Sequence, residues 1–467
     1  MDFKLLLDGA LVDGAALLEV INPATASLLA MAPRADSAQV DMAVAAARRA
    51  SFGWARLSYA ERGALLMRLA DALDARREEF AHLLTQEQGK PLADAAGELG
   101  GAAATLRWCA AQELKPTVLR ETDAELIIDQ HYPLGVVLAI CPWNYPMAIL
   151  TSKVGPALIT GNVVIAKPAP TTPLTALLFG ELVADILPAG VFQTIVDNND
   201  LGDLLSSHPG VDFVSFTGST ATGKKVLGST TETIKRFSLE LGGNDAALIL
   251  PDADPETAAP KIFAAATKNA GQICLAVKRV YAPRQMVDQV CDIFGRLADA
   301  TVVGDGLSQS TTMGPVQNRA QYEKLIALLE ESRAEGTIVA GGEIPELPGY
   351  FIRPTVVRDL SDEARLVREE QFGPLLPVLA YDDLEEAIER INATEYGLGG
   401  SVWTADPKMG VEVAARIASG TVWVNRHLGL APDIPFGGAK QSGLGRQQGI
   451  RGLEEFTQGR IISVART

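Results

Sequence analysis

Between about Ala35 and Ala111, apolar residues recur at helical spacing, as in Ala60-Glu-Arg-Gly-Ala-Leu-Leu-Met-Arg-Leu-Ala-Asp-Ala-Leu, which predicts a layer of helices. The period then changes. Residues 117–141 alternate apolar and polar before running apolar, and Ile127-Ile-Asp-Gln-His-Tyr-Pro reads as one arm of a hairpin. Three strand-then-helix units follow. Gly135-Val-Val-Leu-Ala-Ile precedes a helix from Met147, Asn162-Val-Val-Ile-Ala one from Pro173, and Val211-Asp-Phe-Val-Ser-Phe one from Ser219. This alternation predicts an α/β fold with a mostly parallel, doubly wound sheet, whose ligands bind beyond the C-terminal strand ends. The informative loops are therefore Cys141–Pro146, Lys167–Pro170 and Thr217–Gly223. From about Gly242 to Phe436 the alternation repeats, with helices over Gln321–Glu335 and Asp383–Asn392, as in a second α/β domain. The final Phe456-Thr-Gln-Gly-Arg-Ile-Ile-Ser-Val is strand-like and is expected to pair with the hairpin of another subunit, since open sheet edges invite addition.

Composition narrows the function. A chain of 467 residues exceeds the size at which one core usually stops growing, so two or three domains are expected. The longest apolar run, Leu134–Pro142, is far short of a membrane span, and Asp8 and Asp13 interrupt any secretion signal, so a cytoplasmic protein is expected. A net charge of −16 argues against nucleic acid or anionic membrane and for a small-molecule partner. The four cysteines, Cys109, Cys141, Cys274 and Cys291, are too few for a disulfide framework and lack metal-ligand spacing, so no metal is expected.

Individual loops carry modest signals. Thr217-Gly218-Ser219-Thr-Ala-Thr-Gly223-Lys-Lys225 closes a strand and opens a helix, where free N–H groups favour an anion; Lys225 stands where a P-loop needs Ser or Thr, so an NTPase is disfavoured. Cys274 follows Gly271, which permits a close backbone approach to a reacting oxygen, whereas the other cysteines sit in apolar or helical surroundings. Glu240, between two leucines at a strand end, has the setting of a general base if buried and of a solvated acid if not. Asn144 in Pro142-Trp-Asn-Tyr-Pro suits a turn or an oxyanion donor equally.

Together these segments resemble the aldehyde dehydrogenase superfamily, in its order and over almost the whole chain. Asn22-Pro-Ala-Thr, Glu87-Gln-Gly-Lys-Pro, Pro142-Trp-Asn-Tyr-Pro, Gly161-Asn-Val-Val-Ile-Ala-Lys-Pro, Phe216-Thr-Gly-Ser, Glu240-Leu-Gly-Gly-Asn, Gly271-Gln-Ile-Cys, Glu369-Glu-Gln-Phe-Gly-Pro and Pro435-Phe-Gly-Gly-Ala-Lys-Gln-Ser-Gly all look like its signatures. The resemblance implies a Rossmann-type cofactor domain (1–114 and 134–241, with 442–453 returning to it), an α/β catalytic domain (242–441) and a β oligomerisation arm (115–133 and 454–467). It also implies a homodimer or homotetramer. Carried over by motif, Cys274 is the nucleophile, Asn144 and the Cys274 N–H the oxyanion hole, Glu240 the base, and Lys153 part of a proton relay. NAD or NADP is held by Lys167 at the adenosine ribose, Gly218, Ser219 and Gly223 at the pyrophosphate loop, Glu370 and Phe372 at the nicotinamide end, and Trp143 at the border. An acid at position 240 favours hydrolysis of the acyl-enzyme over transfer to coenzyme A.

Three departures qualify this pattern. Pro170 stands where many NAD-preferring relatives have a Glu, so both cofactors are expected to work. Ile450 occupies the position read as a relay acid, leaving Lys153 and water to carry the proton. Ser152 and Leu430 replace aromatic residues of the substrate tunnel, leaving Tyr145, Phe436 and Ile149 as walls suited to medium-chain or aromatic aldehydes, with no cation placed among them. His427 is expected to be structural. The competing readings are a thiol esterase using the same cysteine, a semialdehyde-specific dehydrogenase, and a catalytically silent protein of this fold.

Overall fold

The computed structural model describes residues 2–231 and 233–466. The first 34 residues, for which periodicity predicts no element, form two antiparallel hairpins, Leu5–Leu7 with Ala10–Val12 and Ala16–Asn22 with Ser27–Arg34. The expected helical layer follows as Ser37–Arg56, Tyr59–Ala75, Arg77–Gln88 and Leu92–Ala110, the first two opened by capping boxes at Asp36 and Ser58.

The first sheet contains β1 (Val136–Ile140), β2 (Val163–Lys167), β3 (Phe192–Thr194), β4 (Phe213–Thr217) and β5 (Arg236–Glu240). These five run parallel in the order β5-β4-β1-β2-β3, with Gly443–Leu444 added antiparallel to β5. β1 and β2 are buried along their whole length, which is why they read as unbroken apolar runs. Helices α1 (Pro146–Ile159), α2 (Leu174–Ala184) and α3 (Thr220–Ser229) follow β1, β2 and β4. The second block builds a seven-stranded sheet with Ala246–Ile249 and Arg279–Pro283 side by side near its middle. Each sheet has its own apolar core.

The C-terminal strand departs from expectation. Thr457–Ala465 pairs antiparallel with Glu125–Pro133 of its own chain over nine residues, and Thr117–Glu121 lies on the other side of that hairpin arm. The cause is the anchorage just before it. Phe456 is buried with its ring 5.0 Å from Phe213, and Asn162 Nδ2 donates to the Phe456 carbonyl at 2.9 Å, so the strand starts beside its own sheet. Among the described residues no helix is long and apolar enough to cross a membrane.

Candidate active site

β1 delivers the chain to Asn144, and α1 starts at Pro146, whose missing N–H suits a first helical turn. A buried brace fixes this loop. Lys90 Nζ donates to the Asn144 carbonyl at 3.0 Å and pairs with Glu98 at 2.5 Å, while the other Glu98 oxygen accepts from the N–H groups of Met147 and Ala148. Glu87 does the same for α2, accepting from the N–H groups of Leu174 and Thr175. The Glu87-Gln-Gly-Lys-Pro segment thus anchors two helices rather than touching substrate.

Asn144 is stitched to the loop that carries Cys274. Its Nδ2 donates to the Gln272 carbonyl at 2.9 Å, which leaves one amide hydrogen for the cavity, and Asn269 Nδ2 donates back to the Asn144 carbonyl at 3.1 Å. Asn269, Ala270 and Gly271 all have positive φ, a costly run for L-residues that swings the chain toward the cavity. Gly271 is obligatory because a Cβ would lie 2.3 Å from the Gly373 carbonyl oxygen.

Cys274 stands where two cavities meet. One, of about 270 Å³, is walled by Tyr145, Ile149, Ser152, Leu430 and Phe436 and contains Asn144 and Glu240. The other, of about 220 Å³, is lined by Trp143, Gly218, Ser219, Glu370 and Phe372. Asn144, Ile149, Thr217 and Cys274 belong to both. Burial pushes the Cys274 thiol up to about 12, the nearby Lys278 charge opposing this and those of Glu370, Glu240 and Asp245 adding to it.

Glu240 ends β5 and is buried, not solvated, with both carboxylate oxygens unpartnered. Burial raises its carboxyl to about 8 against the opposing charges of Lys153 and Arg446. Gln447 and Gln448, on the C-terminal segment, present an unpartnered amide nitrogen and oxygen to the same cavity. Gln447 is held there by two backbone bonds with Phe436. These are the residues sequence reasoning missed at the relay position: Ile450 is 44% exposed and borders neither cavity. Lys153 is fully buried and donates to Ser215 Oγ at 3.0 Å, reaching Glu240 through its charge rather than by contact.

Other sequence readings need correction. Gly223 lies inside α3, where a Cβ would strike Leu241 at 2.5 Å; it serves packing and borders neither cavity. The Gly218 N–H is taken by the Glu240 carbonyl at 3.0 Å, so an anion must use later donors in the first turn of α3, which Ser219 caps. Lys167 is not free. It pairs at 2.6 Å with Asp197, a fully buried carboxylate from the loop after β3 that also accepts from the Leu201 N–H. Lys268 lines the first cavity, so its wall carries a cation after all, loosely paired with Asp94 at 3.7 Å. His427 Nε2 lies 2.7 Å from the Leu275 carbonyl and so bears on the loop that carries Cys274.

The second cavity gathers polar, charged and aromatic groups on its wall. Its wall includes Gly242, where any Cβ would collide with Glu370 at 2.4 Å, and the unpartnered buried hydroxyl of Thr217. Trp143 and Phe372 meet edge to face at 5.3 Å, a preformed aromatic boundary, and Lys324 and Glu370 add charge.

A model of the aldehyde dehydrogenase family matches residues 12–462. The chain is 40% identical to aldehyde dehydrogenase LUC3 of Fusarium sp. over 447 residues, 95% of this chain and 94% of that one. It is 37% identical to betaine aldehyde dehydrogenase of Rhizobium leguminosarum bv. trifolii, covering 98% and 96%. The NAD+ complex of aldehyde dehydrogenase from Bacillus cereus superposes with a TM-score of 0.97 at 36% identity, covering 100% of this chain and 97% of that one.

Proposed function

Because the chain belongs to the aldehyde dehydrogenase family, we propose that it oxidises an uncharged medium-chain or aromatic aldehyde to its acid through a thioester on Cys274. The observation that carries this reading is the position of one thiol at the junction of two cavities, one walled mainly by apolar side chains and the other by polar, charged and aromatic ones. The nucleotide would be held by Ser219 and the first turn of α3, by Glu370 and by Phe372 with Trp143, and when bound it supplies the hydride acceptor.

In the protein's part of the chemistry, the Cys274 thiolate adds to the aldehyde carbon. The resulting oxyanion meets the free amide hydrogen of Asn144 and the Cys274 N–H, donors of a kind commonly worth about 3–4 kcal/mol each. Loss of hydride leaves a thioester. Glu240 then deprotonates a water that Gln447 and Gln448 are placed to orient, and hydrolysis frees the acid and regenerates the thiol.

Lys268 bears on substrate choice. An ammonium in the cavity wall repels a cationic aldehyde, so betaine aldehyde, named for four relatives, fits poorly, while a carboxylate-bearing semialdehyde becomes the second reading. The test follows reduced-nicotinamide absorbance with hexanal, benzaldehyde, a semialdehyde and betaine aldehyde. Cys274→Ser should abolish the signal and Glu240→Gln should leave a single-turnover burst; steady turnover by the latter refutes its role as base. We also assign the three-stranded arm to self-association as a homodimer or homotetramer.

A further inference from the structure

Lys278 lies four residues beyond Cys274 and only 1% of it is exposed. A buried ammonium is expensive unless fully paired. Its partners here are carbonyls: Nζ donates to Ile273 at 2.5 Å and to Ala276 at 3.4 Å, one on each side of Cys274, and lies 5.6 Å from the centre of the Phe372 ring. The backbone of Lys278 is fixed as well, its N–H donating to the Asp245 carbonyl and its carbonyl accepting from Gln371 Nε2. Side chain and backbone together tie the nucleophile's loop to the strand that begins at Arg279.

We propose that Lys278 is a positioning residue for Cys274, its ammonium fastening the carbonyls on both sides of the cysteine and supplying the positive charge against which the thiolate forms. This rests on Cys274 being the nucleophile. The groups facing the sulfur are otherwise adverse or neutral: Glu240 ends β5, Asp245 follows it, Glu370 enters from the nicotinamide side, and the Tyr145 ring comes from the loop before α1. His427 is neutral, burial holding it near 4, and Lys268 reaches the cavity with half its side chain in solvent. Each of these three acids, when ionised, opposes formation of the thiolate; Lys278 is the buried cation that opposes them. Asp245 supplies a contrast. It also sits beside Cys274 and Lys278, but its charge acts on the thiol in the opposite direction.

The experiment is the pH profile of Cys274 alkylation by iodoacetamide, read by mass spectrometry without substrate or nucleotide, on the full-length protein. Lys278→Met should move the midpoint upward and slow alkylation at pH 8 by about tenfold or more, the equivalent of one pKa unit. Lys278→Arg should keep most of the rate. Asp245→Asn should move the midpoint down and speed alkylation. The proposal is overturned if Lys278→Met alkylates like the wild type, if folded Lys278→Arg is as slow as Lys278→Met, or if the Met and Asn variants shift in the same direction. Should Lys278→Met not fold, the Arg and Asn variants still decide. Whether alkylation stops turnover tests the nucleophile assignment separately.

Discussion

At the scale of single residues, Glu240 ties activity and stability to one proton. A carboxyl raised to about 8 must be ionised to act as base, so hydrolysis of the thioester should climb as pH rises toward 8 and level off above it. Stability has the opposite sign. The folded state keeps Glu240 protonated up to about 8 while the unfolded chain releases that proton near the ordinary glutamate value, so between these limits each rise in pH favours unfolding. Glu240→Gln, which carries no charge, should therefore be more stable than the wild type at pH 9, by up to about 5 kcal/mol. The difference should vanish near pH 4. Thermal melts at the two pH values check this, and equal melting temperatures at pH 9 would show that burial does not strain the carboxylate. Cys274, Asn144 and Glu240, which line one cavity, were legible in the sequence as candidates because each stands in a motif with a recognisable order of neighbours. The sequence could not disclose Gln447, Gln448 or Lys268, whose polar side chains reach the cavity only through the path of the chain. Nor could it show that Lys153 would be engaged by Ser215, since that bond joins α1 to β4 across the sheet.

At the scale of elements, the strand-to-helix loops were legible as ligand-facing, but their partners were not. Pro170 follows Lys167 closely in sequence, so its lack of charge was visible; Asp197 comes from the next loop, and only the parallel pairing of β2 with β3 brings it to Lys167. The consequence is a reversal of the expected tolerance. Lys167 lines neither cavity, and its place at the adenosine ribose is what the resemblance implies; on that placement, with its ammonium already matched by a buried carboxylate, a 2′-phosphate would find no spare cation there and a like charge beside it. The protein should therefore prefer NAD to NADP in kcat/KM, and Asp197→Asn should narrow that preference by on the order of tenfold. Parallel kinetics with both nucleotides decide the matter; an unchanged ratio in the variant would remove Asp197 from cofactor choice.

At the scale of the whole molecule, the arm raises a question that its own strand pairing sharpens. Because Thr457–Ala465 adds to its own chain's hairpin, the three-stranded sheet is complete within one subunit, yet both outer strands remain open edges. Those edges are also greasy: Val118 and Leu119 on one, Ile461 and Val464 on the other, are each more than 40% exposed, and the outer strand Thr117–Glu121 is exposed throughout. Natural sheets protect free edges with charge, proline or a covering element, and a patch of aliphatic residues along two unpaired strands is the pattern of a surface buried in an assembly. A net charge of −16 makes copies of the chain repel one another, so the proposed association has to draw on such local apolar burial. Light scattering on the purified protein should accordingly give a mass of two or four chains. Replacing Leu119 and Ile461 together by Asp should shift it toward one chain without disturbing Cys274 alkylation, because the arm borders neither cavity. An unchanged mass in that double variant would place the contact on another face and leave the arm without an assigned partner.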